Sequence, residues 1–166
     1  MRSWLPDPIG GIHWFGVDDA ASSVYFPMYC GAYDVPSTFK KGNGAMMDYS
    51  NKAAFWVFNQ VSNLAYTRYS TIHPEIEEYQ QSLEKKYITY TPAIDKAAEE
   101  LYKTDPMMAR EFLTDYSCNT ADKLTRDWRN FYEYLFTRYM DGNIKEPDGC
   151  KQNPKLEQPG YSSEYY

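Results

Sequence analysis

The sequence has no long apolar run. Nothing in it approaches the roughly 18 consecutive apolar residues that a membrane-crossing helix needs, so no membrane partner is expected. The opening stretch, Met1 to Pro8, has no apolar core and is not itself a secretory signal. This leaves the compartment open between cytoplasm and export. Cysteine is scarce: Cys30, Cys118 and Cys150 lie far apart and are odd in number, with no CxxC pairing. A disulfide framework and a thiolate metal site are both poor readings of such spacing. The only histidines are His13 and His73, which lack HExxH spacing, so no metal and no cofactor is expected. Clustered positive charge is missing too. The formal net charge is −6 and the pI about 4.9, which argues against a phosphate backbone as partner, so no nucleic acid is expected.

Large rings, in contrast, are abundant. Aromatics make up 17 % of the chain and apolar residues 43 %. A 166-residue chain of this composition can bury one substantial core and is read as one domain. Near its front, "GGIHWFGVDD" is apolar almost throughout from Ile12 to Val17 and ends in paired acids. After a turn at Asp18 to Ala21, "SSVYFPMYCG" alternates in strand fashion. Val24, Phe26, Met28 and Cys30 share one face, and Tyr25 and Tyr29 the other. The expectation is a β-hairpin over 10–31 with apolar residues on both faces. Pro27 assigns its strand to an edge or a bulge.

A loop over 32–49 follows, then about five helices over 50–141. The first carries Ala54, Val57, Phe58, Val61, Leu64 and Ala65 at helical spacing. Phe55, Trp56, Tyr66 and Tyr69 widen its apolar stripe, which predicts an enclosed helix. Pro74 opens a second helix and Thr91-Pro92 a third. Asp105-Pro106 opens a fourth, and a last one runs from Asn119 or Thr120 to Met140. Residues 143–166 hold three prolines and two glycines, and predict an extended or disordered tail.

Such a hairpin is marginal alone in water and needs neighbours on its faces and edges. The rest of the chain offers no strand to supply them, so the reading is a piece of a larger sheet. The candidate functional residues are few. Trp14, Asp18 and Asp19 are substrate-pocket candidates from their strand and strand-end positions. Against that, Asp in a tight turn is favoured simply because it bonds its own backbone. His13 with Asp18 and Asp19 is the thinnest route to an independent active site. Ser22 and Ser23 lack the G-x-S-x-G elbow, and "GNG" at 42–44 lacks a phosphate-loop context. No residue set assembles a nucleophile, base and orienting group.

The string "RSWLPDPIGGIHWFGVDDAASSVYFPMYCG" resembles the C-terminal region of the dipeptidase A family of bacterial cysteine peptidases, relatives of the secernins. The resemblance continues through "NKAAFWVFNQVSNLAYTRYSTIHPEI" and "RYMDG", over about residues 2–142. It implies an N-terminal-nucleophile hydrolase, in which helical layers enclose two antiparallel sheets. It also implies a catalytic cysteine at the start of the mature chain, whose own α-amino group is the base, and dipeptides as substrates. Here Arg2 follows Met1 and no cysteine is near, so no catalytic role is carried over. The expected fold is therefore α+β, the rear part of an αββα sandwich. The expected partner is the front part of the same enzyme, and the chain alone is expected to be inactive. The alternative is a non-catalytic module that pairs through its hairpin edge with a partner or with a second copy.

Overall fold

The computed structural model describes residues 2–146 and 151–159. It is an α+β structure. A short helical turn, α1 (Asp7–Gly10), leads into β1 (Ile12–Phe15), which pairs antiparallel with β2 (Phe26–Tyr29). Three longer helices follow: α2 (Ala54–Thr67), α3 (Tyr69–Thr104) and α4 (Pro106–Tyr139). A second two-stranded sheet joins β3 (Ile144–Glu146) to β4 (Lys155–Glu157). The tail is therefore extended and paired in this part; residues 147–150, with Cys150, and 160–166 lie outside the described residues.

The hairpin register pairs Ile12 with Tyr29 and Phe15 with Phe26. Its strands are shorter than the sequence pattern predicts. Residues 16–25 form a long connection with a 3-10 turn at Ala20–Ser22. Two glycines of the "GGI" and "YCG" motifs allow the N-terminal segment to lie directly on the hairpin. A Cβ on Gly31 would stand 2.5 Å from the Pro8 carbonyl oxygen, and one on Gly10 would stand 2.7 Å from that of Arg2. Backbone this close leaves no room for any other residue.

The five expected helices are three long ones. Pro74 and Pro92 lie inside α3 rather than at helix starts. A proline interior to a helix leaves one carbonyl without its donor; here those are the carbonyls of Ser70 and Ile88, both exposed residues. The buried face runs on regardless, through Ile72 and Ile76 around Pro74, and through Tyr87, Thr91 and Ala98 around Pro92. Thr91 is therefore no N-cap, and its hydroxyl donates to the Tyr87 carbonyl at 2.9 Å. Likewise α4 continues through Asn119, because Leu113, Ser117, Ala121, Leu124 and Trp128 keep one buried stripe across that position. Asp105 does cap α4 as its spacing predicts, accepting from the Met107 and Met108 amides at 2.9 and 3.1 Å.

The main core lies where α2, α3 and α4 meet the inner side of the hairpin. Trp128 is its largest member. It is fully buried and stacked against Phe58 and Tyr79, at centroid distances of 5.4 and 5.7 Å. The expected stripe of α2 is present in Ala54, Val57, Phe58, Val61 and Ala65. The expected enclosure of α2 is not, because Phe55, Tyr66 and Tyr69 are exposed. Their rings cover one another, Tyr66 stacking on Tyr69 and Phe55 meeting Trp56 edge-on, instead of filling the interior. A smaller cluster of Ile9, Tyr29, Ala98 and Leu113 fixes the N-terminal segment to the α3–α4 pair.

Candidate functional site

The hairpin has one covered edge and one open edge. The Cys30 amide donates to the Gly11 carbonyl at 2.9 Å, so residues 11 and 30 form a hydrogen-bonded pair. In an antiparallel ladder such pairs alternate. His13 with Met28 and Phe15 with Phe26 are therefore bonded pairs, and Ile12, Trp14, Pro27 and Tyr29 direct their backbone groups outward. On β2 the outward amide is satisfied. The Tyr29 amide donates to Ser117 Oγ of α4 at 3.2 Å, and Pro27 has no amide to satisfy. On β1 the outward groups of Ile12 and Trp14 meet no partner among the described residues.

A groove of about 710 Å³ runs beside that open edge. Arg2, Trp4, Ile12 and Trp14 line one wall, and Ile88, Pro92 and Asp95 of α3 line the other. A second hollow of about 320 Å³, between Trp14, Tyr25, Glu84 and Ile88, adjoins it. The exposed rings are large, Trp4 at 77 % and Trp14 at 37 % exposure. The floor is polar and held in place. Arg2 is ion-paired with Asp95 and donates to the Ile9 carbonyl at 2.8 Å. The Tyr29 hydroxyl donates to the other Asp95 oxygen at 2.7 Å. Burial, and next the bonded Asp95 carboxylate, push the Tyr29 phenol far above its ordinary range, so it stays a donor at all working pH values.

Asp18 and Asp19 stand elsewhere, in the connection after β1, and neither lines the groove with Trp14. Asp18 has a left-handed backbone, φ 65°, a conformation that Asp tolerates better than most residues. Its carboxylate accepts from Ser62 Oγ at 2.8 Å and Asn59 Nδ2 at 3.2 Å. Asp19 accepts from the Ala21 amide at 3.1 Å, the self-bonding turn its residue type favours, and from the Tyr66 hydroxyl at 3.2 Å. Nearby, His73 Nε2 donates to the Ala21 carbonyl at 3.0 Å, with its ring stacked on Tyr69. His13 is on the exposed face of β1, tilted against Phe15. It makes no hydrogen bond with either aspartate among the described residues, so these three residues do not form a catalytic unit.

The thiols are likewise unassembled. Cys30 is exposed at the end of β2. Cys118, on α4, directs its sulfur at the Asp34 carbonyl at 3.8 Å, and burial, then the Asp34 charge, push its pKa up. A raised pKa keeps a thiol protonated and slow as a nucleophile. No hydrogen bond joins a cysteine to a histidine among the described residues. No grouping of His, Cys, Asp and Glu able to hold a metal occurs among them either, and no helix is long and apolar enough to cross a membrane.

Residues 1–82, the segment that carries the hairpin, its open edge and the Arg2 anchor, match the family model of Peptidase family C69. That match is consistent with a region of a dipeptidase A family cysteine peptidase, the resemblance drawn from the same residues. It spans the hairpin, the following loop, α2 and the first part of α3. No curated protein matches the chain. Sequence reasoning offered Trp14 from its strand position, and the structure places it on the groove wall. It missed Arg2 and Asp95, because a bond across 93 positions leaves no periodic signal.

Proposed function

We propose that this chain is the rear scaffold of a cysteine dipeptidase with an N-terminal-nucleophile fold. In that reading β1 and β2 are two strands of a wider antiparallel sheet, and α2 to α4 form a helical layer over it. The nucleophilic cysteine comes from a separate segment, which adds its strands alongside β1. Its thiol attacks the dipeptide carbonyl carbon while its own α-amino group takes up the thiol proton; that proton passes to the leaving amine as the C–N bond breaks, and water then hydrolyses the thioester to release the second amino acid and the free thiol. The chain by itself does not hydrolyse peptides. Trp14 is the substrate-side residue carried forward, since its ring is exposed where the added strands end. Asp18 and Asp19 act further out, with acceptors already engaged by Asn59, Ser62, Tyr66 and Ala21.

One observation carries this reading: within the family-matched segment, β1 presents outward backbone groups with no partner among the described residues, beside a groove walled by exposed rings. Unpaired strand edges of this kind are normally blunted or covered. The test is a dipeptide hydrolysis assay on the purified chain, alone and mixed with a cysteine-led segment of the same peptidase family. Turnover only in the mixture is the expected result. Turnover by the chain alone contradicts the proposal. A stable dimer with no turnover in either arm supports instead a module that pairs through its hairpin edge.

A further inference from the structure

Away from the hairpin edge, a cavity of about 260 Å³ opens between the loop after β2, the turn before α2 and the middle of α4. Lys52, Arg126 and Arg129 line it together. Arg126 and Arg129 are three residues apart on α4 and so share a face. None of the three cations is ion-paired among the described residues. In a chain of net charge −6 this local surplus is unusual.

The one carboxylate in the cavity wall offsets only part of it. Asp122 is four residues before Arg126, the spacing of a helical ion pair, yet the two are not ion-paired. One oxygen accepts from the Thr38 amide and hydroxyl at 3.0 and 2.8 Å, and the other from the Ser37 amide and hydroxyl at 3.1 and 2.8 Å. With four donors on two oxygens, its acceptor positions are filled. Partial burial alone would raise its pKa, but these bonds hold it below the ordinary carboxylate range. Asp122 thus fixes the loop, and as a single carboxylate against Lys52, Arg126 and Arg129 it leaves a surplus of positive charge in the cavity wall. The Asn51 amide lines the same cavity.

We infer that this cavity binds a small, multiply charged oxyanion of the phosphate class, held by Lys52, Arg126 and Arg129. Two arginines and a lysine lining one hollow supply the charge and the fork-shaped donors that suit a tetrahedral anion. The site is independent of peptide hydrolysis and of the hairpin edge.

Calorimetric titration of the whole chain with inorganic phosphate, and separately with glycerol phosphate, tests this at constant ionic strength. Saturable binding is expected, weakened about tenfold in Arg129→Gln and in Lys52→Gln, since each removes a charge-assisted contact. Lys86→Gln, on the exposed side of α3, leaves it unchanged. Tighter binding of glycerol phosphate identifies a phosphomonoester as the ligand, and tighter binding of phosphate the free ion; both support the site. The inference is overturned if no saturable binding occurs up to about 20 mM of either anion. Equal weakening by Lys86→Gln, or none by Arg129→Gln, overturns it as well. Lys52 is exposed and Arg129 half-buried, and circular dichroism of the variants verifies that they fold.

Discussion

β1 and β2 are four residues each and pair along their full length, yet they live in different surroundings. In β2, Phe26, Pro27 and Tyr29 are buried. In β1, both central residues, His13 and Trp14, are exposed. Composition does not explain this, since both strands are built from rings and aliphatics. The difference is a neighbour: α4 lies against β2 and supplies Ser117 to the Tyr29 amide, whereas the outer side of β1 opens on the groove that separates it from α3. A strand's sequence gives its capacity to be buried, and its neighbours determine whether that capacity is used.

Substitutions can break or sharpen this contrast. The largest effect is expected at Phe26, which is 1 % exposed and packs its ring edge-on to Phe15. Phe26→Ala should cost about 3–5 kcal/mol of unfolding free energy in denaturant titrations. Ser117→Ala comes next, at about 1–3 kcal/mol, because it leaves the Tyr29 amide buried and unbonded. If that variant is neutral, α4 does not satisfy β2's edge.

Asp122→Asn, which loosens the loop that follows β2, should cost about 1 kcal/mol at neutral pH. Its pH dependence has a definite sign. The folded-state pKa of Asp122 is lowered, so its contribution is complete above the unfolded-state value and disappears as pH falls through the folded one. Denaturant midpoints of the parent chain should therefore fall toward those of Asp122→Asn in acid and separate from them near neutrality. The smallest effect is expected for Trp14→Ala, within about 0.5 kcal/mol, as for surface sites generally. A loss at Trp14 comparable to that at Phe26 would abolish the distinction between the strands.

Much of this was legible in the sequence where a period or a cap carried it. The α2 stripe, the Asp105 cap and the pairing of the two apolar strands all follow from local spacing. The proline boundaries misled, because Pro74 and Pro92 can sit in a helix whose freed carbonyls belong to exposed residues while the buried face runs on. The enclosure expected for α2 failed for a related reason: Phe55, Tyr66 and Tyr69 shield one another at the surface. Least legible were the features made by distant segments. Asp122 holding Ser37 and Thr38 spans 84 to 85 positions, and the Arg2–Asp95–Tyr29 network ties both ends of the groove floor with no repeating pattern to announce it.

The open edge of β1 is tested most directly by residue-resolved amide hydrogen exchange on the monomeric chain. The bonded pairs of the ladder predict slow exchange at His13 and Phe15, and fast, nearly unprotected exchange at Ile12 and Trp14, alternating residue by residue along one strand. Equal protection at all four amides would mean that something already pairs with the outer side of β1, and would contradict the account.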